Sequence, residues 1–360
     1  MRNNLLQTIN RKQMKAAVLE QYGKFRVEER DISEPGSGQV QVAISHASIC
    51  GTDMHIFKGD FHPRTPVPFI PGHEMAGTVA KTGSGVEGFV EGDKVAIDPI
   101  IWCGECPACK ENHYPACKNL KLLGVDMDGG FCQLINVDQK MLFNAPETIP
   151  SEHLALVEIY GIGFHACNRA GVKKGDSIAI WGAGRVGQVI LQAARTITEG
   201  PIFLVDVIDE RLKIARTTYE NVITINALDT DPIPAILEQT GGMGCDIAFE
   251  AVGHPLHTES TMNPVRGAIN SIRGAGIVCV LGLTDEPAPI VFKELIWKEA
   301  KIIASRVSHG EYPLIIENLA ANLLNPDVLI SAVFPAERIQ EAFEAIEKDP
   351  AKYLKILLEF

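Results

Sequence analysis

The stretch from Ser177 to Ala194 limits the fold of this chain more than any other. An apolar run, Ser177-Ile178-Ala179-Ile180-Trp181, leads straight into Gly182-Ala183-Gly184-Arg185-Val186-Gly187. A second run follows, with Val189, Ile190, Ala193 and Ala194 at helical spacing. A bare G-x-G-x-x-G carries little weight, but a strand before it and a helix after it make it the opening of a βαβ unit. The glycines permit a tight turn and let a pyrophosphate approach the helix N-terminus. The next run, Ile202 to Val205, ends in Asp206, nineteen residues after Gly187. An acid there accepts hydrogen bonds from a ribose diol and repels a 2′-phosphate, and no arginine follows it directly, which favours NAD over NADP. Further strand-like runs, Asp246 to Phe249 and Gly276 to Val280, alternate with helical segments, and that alternation implies a doubly wound parallel sheet.

Two other clusters carry metal chemistry. Cys50-Gly51-Thr52-Asp53-Met54-His55 and Pro71-Gly72-His73-Glu74 bring together a thiolate, an imidazole and a carboxylate, three donor types that Zn²⁺ accepts. A catalytic zinc uses three protein ligands and leaves one position open. The plain alternative is a buried cysteine and a loop histidine that never meet. Cys103, Cys106, Cys109 and Cys117 follow as C-x2-C-x2-C-x7-C, and a closed set of four thiolates is structural, with no position for water. Iron–sulfur proteins use similar C-x2-C-x2-C runs, and a redox dithiol uses C-x-x-C, though it gives no reason for four. Nine cysteines in all is an odd number in a long chain whose start does not read as a secretory signal. Metal ligation therefore explains the cluster better than a disulfide framework. Cys132, Cys167, Cys245 and Cys279 read as core thiols.

From Met14 to about Val157 short apolar runs, such as Ala16–Leu19, Val40–Ile44, Gly77–Ala80 and Lys94–Ile97, stand between glycines and prolines. That texture predicts an all-β unit. The 360 residues suffice for about two domains. A net charge of −12 argues against nucleic-acid or anionic-membrane partners. No apolar run approaches the roughly 18 residues of a bilayer span, and the expected location is cytoplasmic.

The run from Gly72 to Val86, G-H-E-x2-G-x5-G-x2-V, resembles the signature of the zinc-containing medium-chain alcohol dehydrogenases. The Cys50–His55 motif is similar to that of the polyol (sorbitol-type), butanediol and threonine dehydrogenase branch. The resemblance implies an α/β chain, with a GroES-like β-barrel catalytic domain over 14–157 and a Rossmann doubly wound coenzyme domain over 158–304. Residues 305–360 return to the first domain, and 1–13 form an N-terminal tail. It implies two zinc ions per chain: a catalytic one at Cys50 and His73, and a structural one at the four-cysteine lobe. The third catalytic donor is Glu74 or Glu158, between which the sequence does not choose. Relatives follow Glu158 with proline, where this chain has Ile159. By the same resemblance Thr52 and His55 relay the alcohol proton outward, although a turn hydroxyl and a surface histidine would look alike in sequence. The resemblance also brings Arg211 to the coenzyme ribose, Gly253 and Gly282 beneath the coenzyme, and Arg306 to the substrate; a solvated surface arginine is the alternative for Arg306.

The expected activity is NAD-dependent oxidation of a secondary alcohol of polyol, diol or hydroxy/amino acid type by a homo-oligomer, a tetramer or dimer by that resemblance. A threonine 3-dehydrogenase-like enzyme is one alternative. A non-catalytic zinc-binding structural or redox-sensing protein on the same fold is another. Zinc-free quinone reductases share the fold but lack the cysteine and histidine sets.

Overall fold

A computed structural model describes residues 13–253, 263–285, 287–288 and 290–360. Of the expected tail, residues 1–12 lie outside that range, and Gln13 already opens the first strand. The chain forms two compact units: one runs to Glu158 and resumes over Tyr312–Phe360, the other is Ile159–Glu311. The return thus falls after 311 where 304 was expected. Residues 305–311 bond within the second unit. The Ser305 amide donates to the Val280 carbonyl at 3.0 Å. Glu311 is held by His165 Nδ1 at 2.8 Å, Asn168 Nδ2 at 3.2 Å and the His309 amide at 2.6 Å.

In the first unit β1 (Gln13–Gln21) pairs antiparallel with β2 (Lys24–Asp31). A seven-stranded sheet contains β3 (Gln39–Ser48), β4 (Glu74–Thr82), β5 (Lys94–Ile97), β8 (Leu134–Asp138), β9 (Leu142–Asn144), β16 (Ile330–Pro335) and β17 (Lys355–Glu359). Its order is β16-β17-β3-β4-β5-β9, with β8 on β3. All four runs singled out in the sequence fall inside β1, β3, β4 and β5. Between β6 (Ile100–Ile101) and β7 (Lys121–Leu122), which pair antiparallel, the four-cysteine segment loops out from a closed neck. The C-terminal segment rejoins this unit by apolar packing. Helix Ile339–Lys348 sets Phe343 against Phe25 and Phe57, with ring centroids 4.7 and 5.0 Å apart.

The second unit is a six-stranded parallel sheet: β10 (Ile178–Trp181), β11 (Ile202–Asp206), β12 (Val222–Asn226), β13 (Cys245–Glu250), β14 (Ile272–Val280) and β15 (Lys301–Ala304). The order β12-β11-β10-β13-β14-β15 reverses direction of travel between β10 and β13. Ligands of such sheets bind beyond the carboxyl ends of the strands at that switch point. All of β10 and residues 202–205 of β11 are buried, as strands covered on both faces must be. Trp181, Phe203, Val205, Ile236, Ala248, Ile269 and Val278 belong to its core. Among the described residues no helix is long and apolar enough to cross a membrane.

Candidate metal and coenzyme sites

Helix α1 (Gly51–Lys58) begins on Cys50 and ends at Gly59, whose φ of +89° terminates it. Asp53 turns back over this first turn: its Oδ2 accepts from the Cys50 amide at 2.8 Å. Its Oδ1 stands 3.4 Å from His73 Nδ1 without hydrogen-bond alignment. Cys50, His73 and Glu74 present donor atoms all within 4.8 Å of one another, with His73 and Glu74 buried. His73 and Glu74 are held by the entry to β4, whose register sets Glu74 opposite Ser48 of β3.

The electrostatics of this cluster ask for a cation. Burial opposes a charge on His73, yet Asp53 and then the Cys50 thiolate raise its pKa well above the ordinary histidine value. Burial alone would raise Glu74 too, but the Lys355 ammonium, followed by His73, brings it below the usual carboxylate range. An enclosed set of anionic donors that favours added positive charge, with a soft thiolate beside nitrogen and oxygen, fits Zn²⁺.

Glu158, the other carboxylate expected at the metal, is not among the donors within that distance. It sits in the first turn of α2 (Val157–Ala170), which runs unbroken through Ile159 where relatives place proline. It is buried, 6% exposed, and burial followed by the charge of Glu74 pushes its pKa up to about 8. Thr52 and His55 occupy one side of α1, three residues apart. His55 is half exposed and its Nδ1 lies 2.8 Å from Asp60 Oδ2.

The four cysteines converge as the spacing suggested. Sγ separations are 3.5 Å for Cys103–Cys117 and for Cys106–Cys109, and 4.0 Å for Cys103–Cys109. Four sulfurs about 2.3 Å from one tetrahedral zinc stand about 3.8 Å apart, so the preformed cage has the right size. Backbone hydrogen bonds at Cys109 and Lys118 pull the Cys106 thiol down to about 6, whereas burial pushes Cys109 up to about 12, so the four do not share one thiolate tendency.

In the second unit Gly182 has φ +105°, and an ideal Cβ on Gly187 would lie 1.7 Å from the Gly182 carbonyl oxygen. Only glycine allows α3 (Arg185–Arg195) to pack that closely on the turn. Gly184 caps α3 and has Arg211 Nη1 beside it, 3.8 Å from an ideal Cβ. Arg185 and Val186 form the helix's first turn. Gly253 and Gly282 are adjacent, tied by Glu250, whose Oε1 accepts from the Gly253 amide at 3.1 Å and whose carbonyl accepts from the Gly282 amide at 3.3 Å. Arg306 is exposed, just past β15.

Three residues escaped the sequence reading. Asp53 stands in the quoted motif three positions after Cys50. Lys355 interrupts an otherwise apolar terminal run, and Glu250 ends an apolar strand. For Lys355 and Glu250 the signal is a charge in a buried apolar run, which is costly unless the charge is paired; Asp53 carries no such signal.

Two family profiles match the chain: "Alcohol dehydrogenase GroES-like domain" over residues 36–147 and "Zinc-binding dehydrogenase" over 186–321. The 2-dehydro-3-deoxy-L-galactonate 5-dehydrogenase of Pseudoalteromonas atlantica is 31% identical over 336 residues, covering 93% of this chain and 95% of that protein. The sorbitol dehydrogenase of Bacillus subtilis is 31% identical over 349 residues, covering 96% and 97%. The structure of alcohol dehydrogenase rspB from Escherichia coli CFT073, complexed with NADH, superposes with TM-score 0.88 at 28% identity, covering 97% of this chain and 100% of that one. The chain belongs to the zinc-containing medium-chain alcohol dehydrogenase family, with its GroES-like and Rossmann folds, and is an oxidoreductase of the zinc-type alcohol dehydrogenase class.

Proposed function

We propose that the protein is a zinc- and NAD-dependent dehydrogenase that reversibly oxidises a secondary alcohol of polyol, diol or hydroxy/amino acid type to a ketone. The donor trio Cys50, His73 and Glu74 carries this reading, with Glu74 in preference to Glu158 as third ligand. The four-cysteine lobe holds a second, structural zinc. When bound, the catalytic zinc supplies Lewis acidity at the alcohol oxygen and the nicotinamide accepts hydride.

The chain's own groups do the rest. Asp53 orients the helix turn that presents Cys50 and faces the His73 ring, so the ligands keep their places. Thr52 relays the alcohol proton to His55, whose Nδ1 meets Asp60 Oδ2 at the surface. Asp206 favours NAD, with Arg211 beside the glycine loop. The relatives named for sorbitol and a deoxy sugar acid support a polyhydroxylated substrate.

Following NADH formation over a panel of polyols, diols, hydroxy acids and L-threonine tests this. Turnover of one group fixes the substrate type, and preference for L-threonine selects the amino acid reading. A protein that holds two zinc ions and binds NAD yet turns over nothing would support the structural or sensing role instead.

A further inference from the structure

Buried lysines need a reason, and Lys355 is completely buried: its side chain and that of Glu74 are each 0% exposed. Its Nζ donates to both carboxylate oxygens of Glu74. Lys355 opens β17, the last strand, and β17 is locked to β3 through the pair Leu357–Ser48. Ser48 is in turn the β3 residue opposite Glu74. The ammonium therefore reaches Glu74 from a fixed strand, not from a mobile surface arm.

Two facts give that contact a consequence. The surroundings of Glu74 are rich in buried acids, for Asp53 and Glu158 are buried as well. Without that partner, a carboxylate buried among other acids would turn away toward solvent or another donor, and that would cost it its place beside Cys50 and His73. Moreover, both oxygens meet a single donor group, which fixes the carboxylate plane while each oxygen keeps lone-pair capacity.

We propose that Lys355 is a positioning residue for the metal site, holding the Glu74 carboxylate in place beside Cys50 and His73. This rests on the reading that those three residues hold the catalytic metal. Such outer partners act on the metal only through the ligand they hold, and their loss typically costs 10–100-fold in metal affinity. Lys355 therefore acts on the metal only through Glu74.

Zinc affinity measured by chelator competition on the purified full chain tests it, with the absorption spectrum of the Co²⁺-substituted protein as a second readout. The wild-type count comes first: fewer than two metals per chain removes the underlying reading before Lys355 is at issue. Given two metals, Lys355→Met should weaken the more labile one by about tenfold or more and shift the Co²⁺ bands, leaving the four-cysteine metal in place. In a Glu74→Gln background the same change should do almost nothing further. Equal losses in both backgrounds, or no loss in either, would overturn the proposal. Should Lys355→Met fail to fold, Lys355→Gln keeps a donor toward Glu74. Affinity between wild type and Glu74→Gln then supports the proposal, and wild-type affinity overturns it.

Discussion

The amide of Ala183 donates to Asp206 Oδ2 at 2.6 Å, tying the middle of the glycine loop to the end of the next strand. The other oxygen, Oδ1, accepts from the amides of Val207 and Ile208 at 2.7 and 2.9 Å. Asp206 is thus part of the loop's own scaffold as well as the acid proposed to meet a ribose. Asp206→Ala should raise the KM for NAD by about tenfold or more and narrow the gap to NADP, since ribose hydrogen bonds and repulsion of a 2′-phosphate go together. Asp206→Asn keeps an acceptor for the Ala183 amide and should relax the bias with less damage. Steady-state kinetics with both coenzymes check this, and equal use of both by the unmodified protein would show the strand end to be misread.

The two metal sites should respond differently. The four-cysteine lobe is closed, and its chain is organised around the cage, so Cys106→Ser should lose one zinc and lower the melting temperature. The trio Cys50, His73 and Glu74 stands on a helix start and a strand already fixed by sheet pairing. His73→Ala should lose the other zinc and all turnover, with melting nearly unchanged. Elemental analysis with calorimetry decides, and iron with acid-labile sulfide in the lobe would refute the zinc assignment outright.

Much of this was legible because the motifs are local. The glycine turn needs one strand, one turn and one helix in succession, and the four cysteines lie within fifteen residues, 103–117. Their geometry follows from spacing. The ligand choice between Glu74 and Glu158 was not legible, since it depends on where α2 begins relative to β4, a matter of tertiary packing. Lys355 was further out of reach: it comes from the opposite end of the chain, 281 residues from Glu74. The second domain boundary shifted for a similar reason, because Glu311 is claimed by His165 and Asn168 on α2.

Gly187→Ala should destabilise the second unit by about 3 kcal/mol, the upper part of the overpacking range, because the new Cβ has only the Gly182 carbonyl to displace. Gly184→Ala is the contrasting case: its Cβ would meet nothing nearer than Arg211 Nη1 at 3.8 Å. It should melt like wild type even if coenzyme binding suffers. Denaturant melts of the two variants side by side check the claim, and equal stability would show that α3 can shift away from the turn.

Asp246 supplies a pH dependence away from the metals. Burial alone would raise its pKa, but Ser177, through its hydroxyl at 2.7 Å and its amide at 2.8 Å, and Arg273 at 2.6 Å hold it below the usual range. A carboxylate lowered on folding contributes stability above its unfolded pKa of about 4, and that contribution fades as pH falls through the folded value. Asp246→Asn should cost about 1–2 kcal/mol at pH 7. Between pH 5 and 3 the variant should lose less further stability than wild type. Urea melts at pH 7, 5 and 3 report both slopes, and parallel slopes would remove Asp246 from the acid response.

Glu158 is the residue whose chemistry the geometry changes most. It lies outside the donor trio, yet it shares the buried region with Glu74, His73 and Lys355, whose charges all act on it. Burial and the charge of Glu74 favour its protonated form, and its place outside the donor trio suits a group that exchanges a proton with substrate more than one that holds the metal. Glu158→Gln keeps the size and hydrogen-bonding capacity but cannot exchange a proton. It should leave both zinc ions bound, change KM little, and lower kcat by about tenfold or more. Loss of one zinc from the variant would instead make Glu158 a ligand and return Glu74 to Lys355 alone. A rise in KM with kcat intact would reduce Glu158 to a substrate hydrogen bond made equally in ground and transition states. Metal content and the two kinetic constants, measured on one preparation, separate these outcomes.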